Sequence, residues 1–267
     1  MRPLHFAIVV LVLAASATAT TAQDRVARAP AAADQAAAAN VSQGQAAIDK
    51  AAAAHKYVFI FFWREKNQQT DKVWSVLHAE AAKLADSAEV VSIQATDPAE
   101  KRVVDRYDVS RVPMPLVLAV APCGAITKAF TGALGENQLR TALVSPCTAE
   151  CMKALQDRKL VLLCVQQSAP QVRQVSVQKG VQDFTEDKQY AQSSKVVVLN
   201  ASDPAETAFL KSLQVDPRTP APVTVLMSPP ASVVGTFSGE VTKEQLVAKL
   251  KSAQSSCCPG GKCCPKK

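Results

Sequence analysis

The sequence predicts an α/β protein built from two tandem domains that share one order of helices and strands, followed by a disordered cysteine-rich tail. Three observations carry that expectation. The first is an internal repeat: Val112-Pro113-Met114-Pro115-Leu116-Val117-Leu118 returns as Thr219-Pro220-Ala221-Pro222-Val223-Thr224-Val225. The pairs Pro113/Pro220, Pro115/Pro222, Phe130/Phe237, Gly132/Gly239, Gln138/Gln245, Leu139/Leu246 and Leu143/Leu250 all lie 107 residues apart. Upstream, Asp97-Pro98-Ala99-Glu100 matches Asp203-Pro204-Ala205-Glu206 at 106, so the second copy has one extra residue before its proline. A repeat of this length is a domain rather than a solenoid unit. The second observation is that Tyr57 to Trp63 is an uninterrupted apolar run, which reads as a strand buried on both faces, and Lys159 to Val165 stands as the central strand of the second copy. The third is the ending, where Cys257, Cys258, Cys263 and Cys264 surround Gly260-Gly261.

In the first copy, Gln45 to Lys56 is a helix candidate that leads into the Tyr57–Trp63 strand. Asp71 to Ala85 places Val73, Trp74, Leu77, Ala81 and Leu84 at helical spacing. Val90 to Ile93 is a short strand. Asp97-Pro98-Ala99-Glu100 is a helix start, with Asp as the cap, Pro at the first helical position and Glu at the third. Pro115 to Ala121 and Ala125 to Thr131 form a hairpin around Pro122-Cys123-Gly124, and Gln138 to Val144 closes with a helix. The second copy repeats the order with weaker punctuation. Ala149 to Arg158 is its first helix, Lys195 to Leu199 its next strand, and the polar stretch between strands holds a loosely placed helix around Val172 to Phe184. The domains are accordingly expected at 42–145 and 148–253, with an alanine-rich lead-in at 23–41 and the tail at 254–267.

Residues 1–22 carry Arg2, the apolar run Phe6 to Leu13 and small residues up to Ala22, the pattern of a secretory signal peptide. That run is too short to span a bilayer, and no later segment has about 18 uninterrupted apolar residues. An exported protein, periplasmic or extracellular, with no membrane span after cleavage is the expectation. Loss of Arg2 lowers the formal net charge from +7 to +6. The positive residues are scattered, without the clustered Lys/Arg and interleaved aromatics of a nucleic-acid face.

The order of elements, with an apolar strand running into a helix and a Val-Pro opening a hairpin strand, resembles the thioredoxin superfamily twice over, across roughly 42–145 and 148–253. The resemblance implies a central mixed sheet flanked by helices in each copy. It also implies a cis X-Pro that opens the hairpin strand, which maps onto Val112-Pro113 and Thr219-Pro220, with a groove beside it. The family's chemistry lives in a Cys-x-x-Cys at the head of the helix after the central strand, where the helix dipole lowers the thiol pKa. Here that place is held by Asn67-Gln68-Gln69-Thr70, and in the second copy by Gln166-Gln167-Ser168-Ala169-Pro170. Neither has a thiol, so Asn67 and Thr70 mark a degenerate redox site. His55 and His78, the mature chain's histidines, fall in expected helices and supply no evident catalytic base. The reading is weighted against an enzyme.

Of the eight cysteines, Cys164 sits mid-strand and reads as a small buried hydrophobe. The resemblance brings the hairpin turn near the end of the last helix, and so Cys123 near Cys147 and Cys151. A structural disulfide follows as one reading, Cys123–Cys147 slightly favoured over Cys123–Cys151. A one-turn dithiol from Cys147 and Cys151 is the other, since i and i+4 share a helix face. The tail sulfurs Cys257, Cys258, Cys263 and Cys264 suit Cu(I) or Zn(II), or they oxidise to one another. No cofactor is certain. Three functions stay open: a non-catalytic module that binds an extended peptide or protein partner at the proline groove, with Phe61, Phe62, Trp63 and Trp74 as candidate lining; a metal carrier; and an oxidoreductase using Cys147/Cys151 or the tail thiols.

Overall fold

The computed structural model describes residues 42–135, 137–166 and 178–256. Ser42 opens the first helix, α1 (Gln43–Ala53), because its hydroxyl accepts from the Gln45 N–H at 2.8 Å. The helix stops at His55, which adopts φ 54°, and the chain turns at once into β1 (Tyr57–Trp63). His55 therefore ends a helix rather than lying inside one; His residues tolerate that left-handed conformation better than most. Next come α2 (Gln68–Ala82) and β2 (Ala88–Gln94). A 3-10 turn, Pro98–Glu100, runs into α3 (Lys101–Arg106), and Asp97 caps it by accepting from the Ala99 N–H at 2.9 Å. The hairpin β3 (Leu116–Val120) and β4 (Ile126–Thr131) follows.

The helix expected at Gln138 to Val144 shrinks to one 3-10 turn, Leu139–Ala142. The residue before a proline avoids helical dihedrals, and here Ser145 is extended and Pro146 starts a new helix, so the chain has no room to propagate the old one. That new helix is α4 (Pro146–Gln156), whose first turn contains the junction expected between 145 and 148. The second copy continues with β5 (Leu160–Gln166), α5 (Lys179–Glu186), β6 (Ser194–Asn200), the 3-10 turn Pro204–Glu206, α6 (Thr207–Ser212), β7 (Val223–Ser228), β8 (Ser232–Ser238) and α7 (Lys243–Ser256). The signal-peptide and lead-in expectations (residues 1–41) and the tail cysteines Cys257, Cys258, Cys263 and Cys264 lie outside the described residues.

Each copy forms a four-stranded mixed sheet, ordered β2-β1-β3-β4 and β6-β5-β7-β8. β1 pairs parallel with β2 and antiparallel with β3; β5 does the same with β6 and β7. The hairpin register slips at Ala119/Val120 in one copy and at Leu226/Met227 in the other, so even the bulge is repeated. The apolar run of β1 splits by side-chain alternation. Val58, Ile60 and Phe62 pack with Ile48 and Ala51 of α1 and Val103 and Val104 of α3. Phe59 and Phe61 pack on the opposite face with Val73, Leu77 and Ala81 of α2. In β5, Val161, Leu163 and Val165 face Ala154 and Leu155 of α4, and Leu162 and Cys164 face Val181, Phe184 and Leu246. Cys164 is the buried apolar residue expected of it, 2% exposed and opposite Thr224.

The two sheets belong to one compact unit. α4 joins them: Cys151, Ala154 and Leu155 enter the second core, while Ala149 packs with Ala121 and Ala125 at the end of the first hairpin. The Gln156 amide accepts from the Ile126 N–H at 3.0 Å and donates to the Ile126 carbonyl at 2.6 Å. Tyr57 Oη donates to the Val144 carbonyl at 2.7 Å and accepts from its N–H at 3.1 Å.

Candidate functional site

The place where the resemblance puts a thiol pair is the head of α2, directly after β1. Asn67 takes extended dihedrals and its Oδ1 accepts from the Thr70 N–H at 2.9 Å, so it is the helix cap. Thr70 is buried, and its hydroxyl donates to the Glu65 carbonyl at 3.0 Å and lies 3.1 Å from Asn67 Oδ1. These side chains satisfy the backbone donors and acceptors at the turn; neither offers a group that could cycle between thiol and disulfide.

Proline geometry beside this turn differs from the expectation. The cis bond is Met114–Pro115, not Val112–Pro113. Pro115 is the residue immediately before β3, whereas Pro113 lies two residues further out, so the proline that opens the strand is the second of the Val-Pro-Met-Pro run. In the second copy neither Thr219–Pro220 nor Ala221–Pro222 is cis; among the described residues the other cis bond is Pro229–Pro230, in the β7–β8 turn. Among the described residues, neither the N–H nor the carbonyl of Met114 takes part in a hydrogen bond.

A cavity of about 570 Å³ lies against α2, lined by Gln68, Gln69, Lys72, Val73 and Val76 on the helix and by Ala133 and Leu134 after β4. Further along α2, Glu80 accepts from the Asn137 N–H at 3.1 Å and from the Lys83 ammonium. The Lys83 hydrogen bond first, then that from Asn137, hold the Glu80 carboxyl below its ordinary pKa. Of the aromatic candidates, Phe61 and Phe62 are core and line no groove. Trp63 ends β1 half-buried with its Nε1 donating to Ser92 Oγ at 3.0 Å, and Trp74 packs between Phe61 and His78 at centroid distances of 5.3 and 5.5 Å.

The cysteines separate by helix face. Cys147 and Cys151 do share a face of α4, as their spacing requires, but that face is turned into the second core. Burial, followed for Cys147 by the nearby Glu206 carboxylate and for Cys151 by Cys147, pushes both thiols up to about 12. Thiolate is the reactive form, so both are poor nucleophiles. Cys123 sits exposed in the β3–β4 turn, and no disulfide joins it to either: Cys123, Cys147, Cys151 and Cys164 are all free. The expected proximity is real at the level of the backbone, since Cys123, Pro146, Ala149 and Glu150 line one cavity of about 470 Å³. Cys147 and Cys151 are packed with the second core and do not line that cavity. Among the described residues no three His, Cys, Asp or Glu side chains cluster as a metal site. Nor is any described helix long and apolar enough to cross a membrane.

Glu100, expected as the third helical residue of its own turn, and its repeat partner Glu206 are buried and reach across to α1 and α4. Glu100 accepts from Ser42 Oγ at 2.5 Å and the Gly44 N–H at 2.9 Å; Glu206 accepts from Ser145 Oγ at 2.5 Å and the Cys147 N–H at 3.3 Å. Each carboxylate is thus an external cap on the first helix of its copy. The repeat of Asp-Pro-Ala-Glu, together with Ser42 and Ser145, each four residues before a helical alanine, is the trace this leaves in the sequence.

No protein-family model matches the chain, and no curated protein matches it. Similar solved structures include the germline-specific thioredoxin Deadhead of Drosophila melanogaster, 20% identical over 38% of this chain and 92% of that one, TM-score 0.31. The first two thioredoxin domains of Saccharomyces cerevisiae Eps1p are 10% identical over 80% of this chain and 97% of that one, TM-score 0.27. Human ERp44 in its zinc-bound form is 9% identical over 79% and 59%, TM-score 0.32. The chain's own topology defines the fold: the strand order, the α2 and α5 crossovers between parallel strands, and their duplication. In its fold, the chain is a tandem of two thioredoxin-like domains.

Proposed function

We propose that the chain is an exported, redox-inactive binding module that holds an extended peptide or protein segment at the first copy's groove. The observation that carries this reading is the head of α2, where Asn67 and Thr70 form a closed capping network next to Gln68 and Gln69, which line a cavity. A partner chain can pair with an unpaired backbone such as that of Met114, and a recess such as this one can seat its side chains. The signal-peptide pattern of residues 1–22 supports export. Insulin with dithiothreitol tests the redox half of the proposal: the purified chain is expected to leave the rate of insulin reduction at the level of dithiothreitol alone. Turnover comparable to an active thioredoxin would end this reading.

The raised thiol pKa values weigh against an oxidoreductase built on Cys147 and Cys151.

A further inference from the structure

Ala133-Leu134 and Glu240-Val241 lie 107 apart in the repeat, and α2 and α5 hold the same place between the parallel strands of their copies. In the first copy the space between α2 and Ala133-Leu134 is the cavity of about 570 Å³, and Val73 lines it. In the second copy α5 and the segment after β8 meet without a gap. A Cβ built on Gly180 would stand 1.9 Å from the Val241 carbonyl oxygen and 2.7 Å from the Thr242 Cα, so backbone rests on backbone. Only a residue without a side chain permits that approach.

Two further contacts hold the segment down. The Gln178 amide donates to the Gly239 carbonyl at 2.9 Å and accepts from the Val241 N–H at 3.1 Å, as a neighbouring strand would. Lys243, at the start of α7, pairs with Asp187, just past the end of α5. Val241 is buried with Phe184 and Leu246 beneath the closed seam.

We infer that the second copy's groove is sealed by its own 239–242 segment, so that the chain takes one extended peptide per molecule, at the first copy. The inference rests on the binding reading above and adds its stoichiometry. Duplication supplied two grooves; a glycine and a glutamine turned one of them into packing.

A short synthetic peptide of alternating valine and threonine, flanked by lysines and carrying a photoreactive diazirine, tests this on the full chain, with cross-links mapped by mass spectrometry. One peptide per chain is expected, attached within 68–76 or 133–134. In Gln178→Ala and in Lys243→Ala, each checked for native circular dichroism, the stoichiometry should rise toward two, with new attachments at 178–184 and 239–242. Attachment to the second copy of the unaltered chain overturns the seal but leaves the binding reading standing. Folded variants whose second copy still takes no peptide also overturn the seal. Attachment to neither copy in any form overturns the binding reading itself.

Discussion

Glu100 and Glu206 show how far a single side chain can act from its own element. A carboxylate that accepts from a serine hydroxyl and a backbone N–H at a helix start neutralises donors the helix leaves open. Ser42→Ala and Ser145→Ala should each cost about 1–2 kcal/mol, read as a lower urea midpoint with an unchanged m-value; no loss in either would refute the capping role. The thiols make a second test. Iodoacetamide at neutral pH should modify Cys123 on the native chain and leave Cys151 unmodified until the chain is unfolded, as peptide mapping would show. Raised thiol pKa values favour the protonated folded form. The stability that Cys147 and Cys151 support is therefore whole below their ordinary value of 9.0 and is lost as the pH climbs toward about 12. At this scale the sequence was legible where an interaction is local, as with Asp97 capping Ala99. It was not legible where the partner lies more than fifty residues away, as for Glu100 and Ser42. The cis proline fell between these cases: two X-Pro bonds stand side by side, and only the start of β3 distinguishes them.

Strands were the most readable elements because burial on both faces demands an uninterrupted apolar run, and Tyr57–Trp63 spans β1 from end to end. Helices read less well where neighbours decide them. Gln138 to Val144 has the composition of its partner in α7 yet forms one 3-10 turn, because α4 must begin at Pro146. The expected helix around Val172 to Phe184 is α5 at Lys179–Glu186; residues 167–177 lie outside the described ones. Its second residue gives the sharpest test of element packing. Gly180→Ala forces α5 and the 239–242 segment apart, and overpacking of this kind costs about 1–3 kcal/mol. Thermal denaturation should show the loss, and hydrogen exchange should show faster exchange at the Val241 amide than in the unaltered chain. An alanine accommodated without either change would mean the seam is looser than its geometry.

The whole molecule carries two copies of one scaffold whose strand order, bulges and carboxylate caps are kept, and the head of α2 carries Asn67 and Thr70. Asn67→Cys with Thr70→Cys puts a Cys-x-x-Cys back at a helix head that already has the right position after β1. That double variant should catalyse insulin reduction by dithiothreitol where the unaltered chain does not; a double variant as silent as its parent would show that more than the thiols has been lost. Fold class was legible from the repeat because duplication writes the same physical requirements twice. The sealing of one groove was not, since a glycine in a helix looks like a weak helix former until the opposing backbone is seen.

The clip that Gln156 makes on Ile126 has a consequence beyond holding two sheets together. β4 is a border strand, and borders with open amide and carbonyl groups invite other molecules to zip on and grow into fibres. A side-chain amide sits on the first rung of that ladder in the manner of a strand neighbour, so a second molecule arriving there finds the rung already taken, and the chain guards itself against polymerising with the same contact that joins its halves.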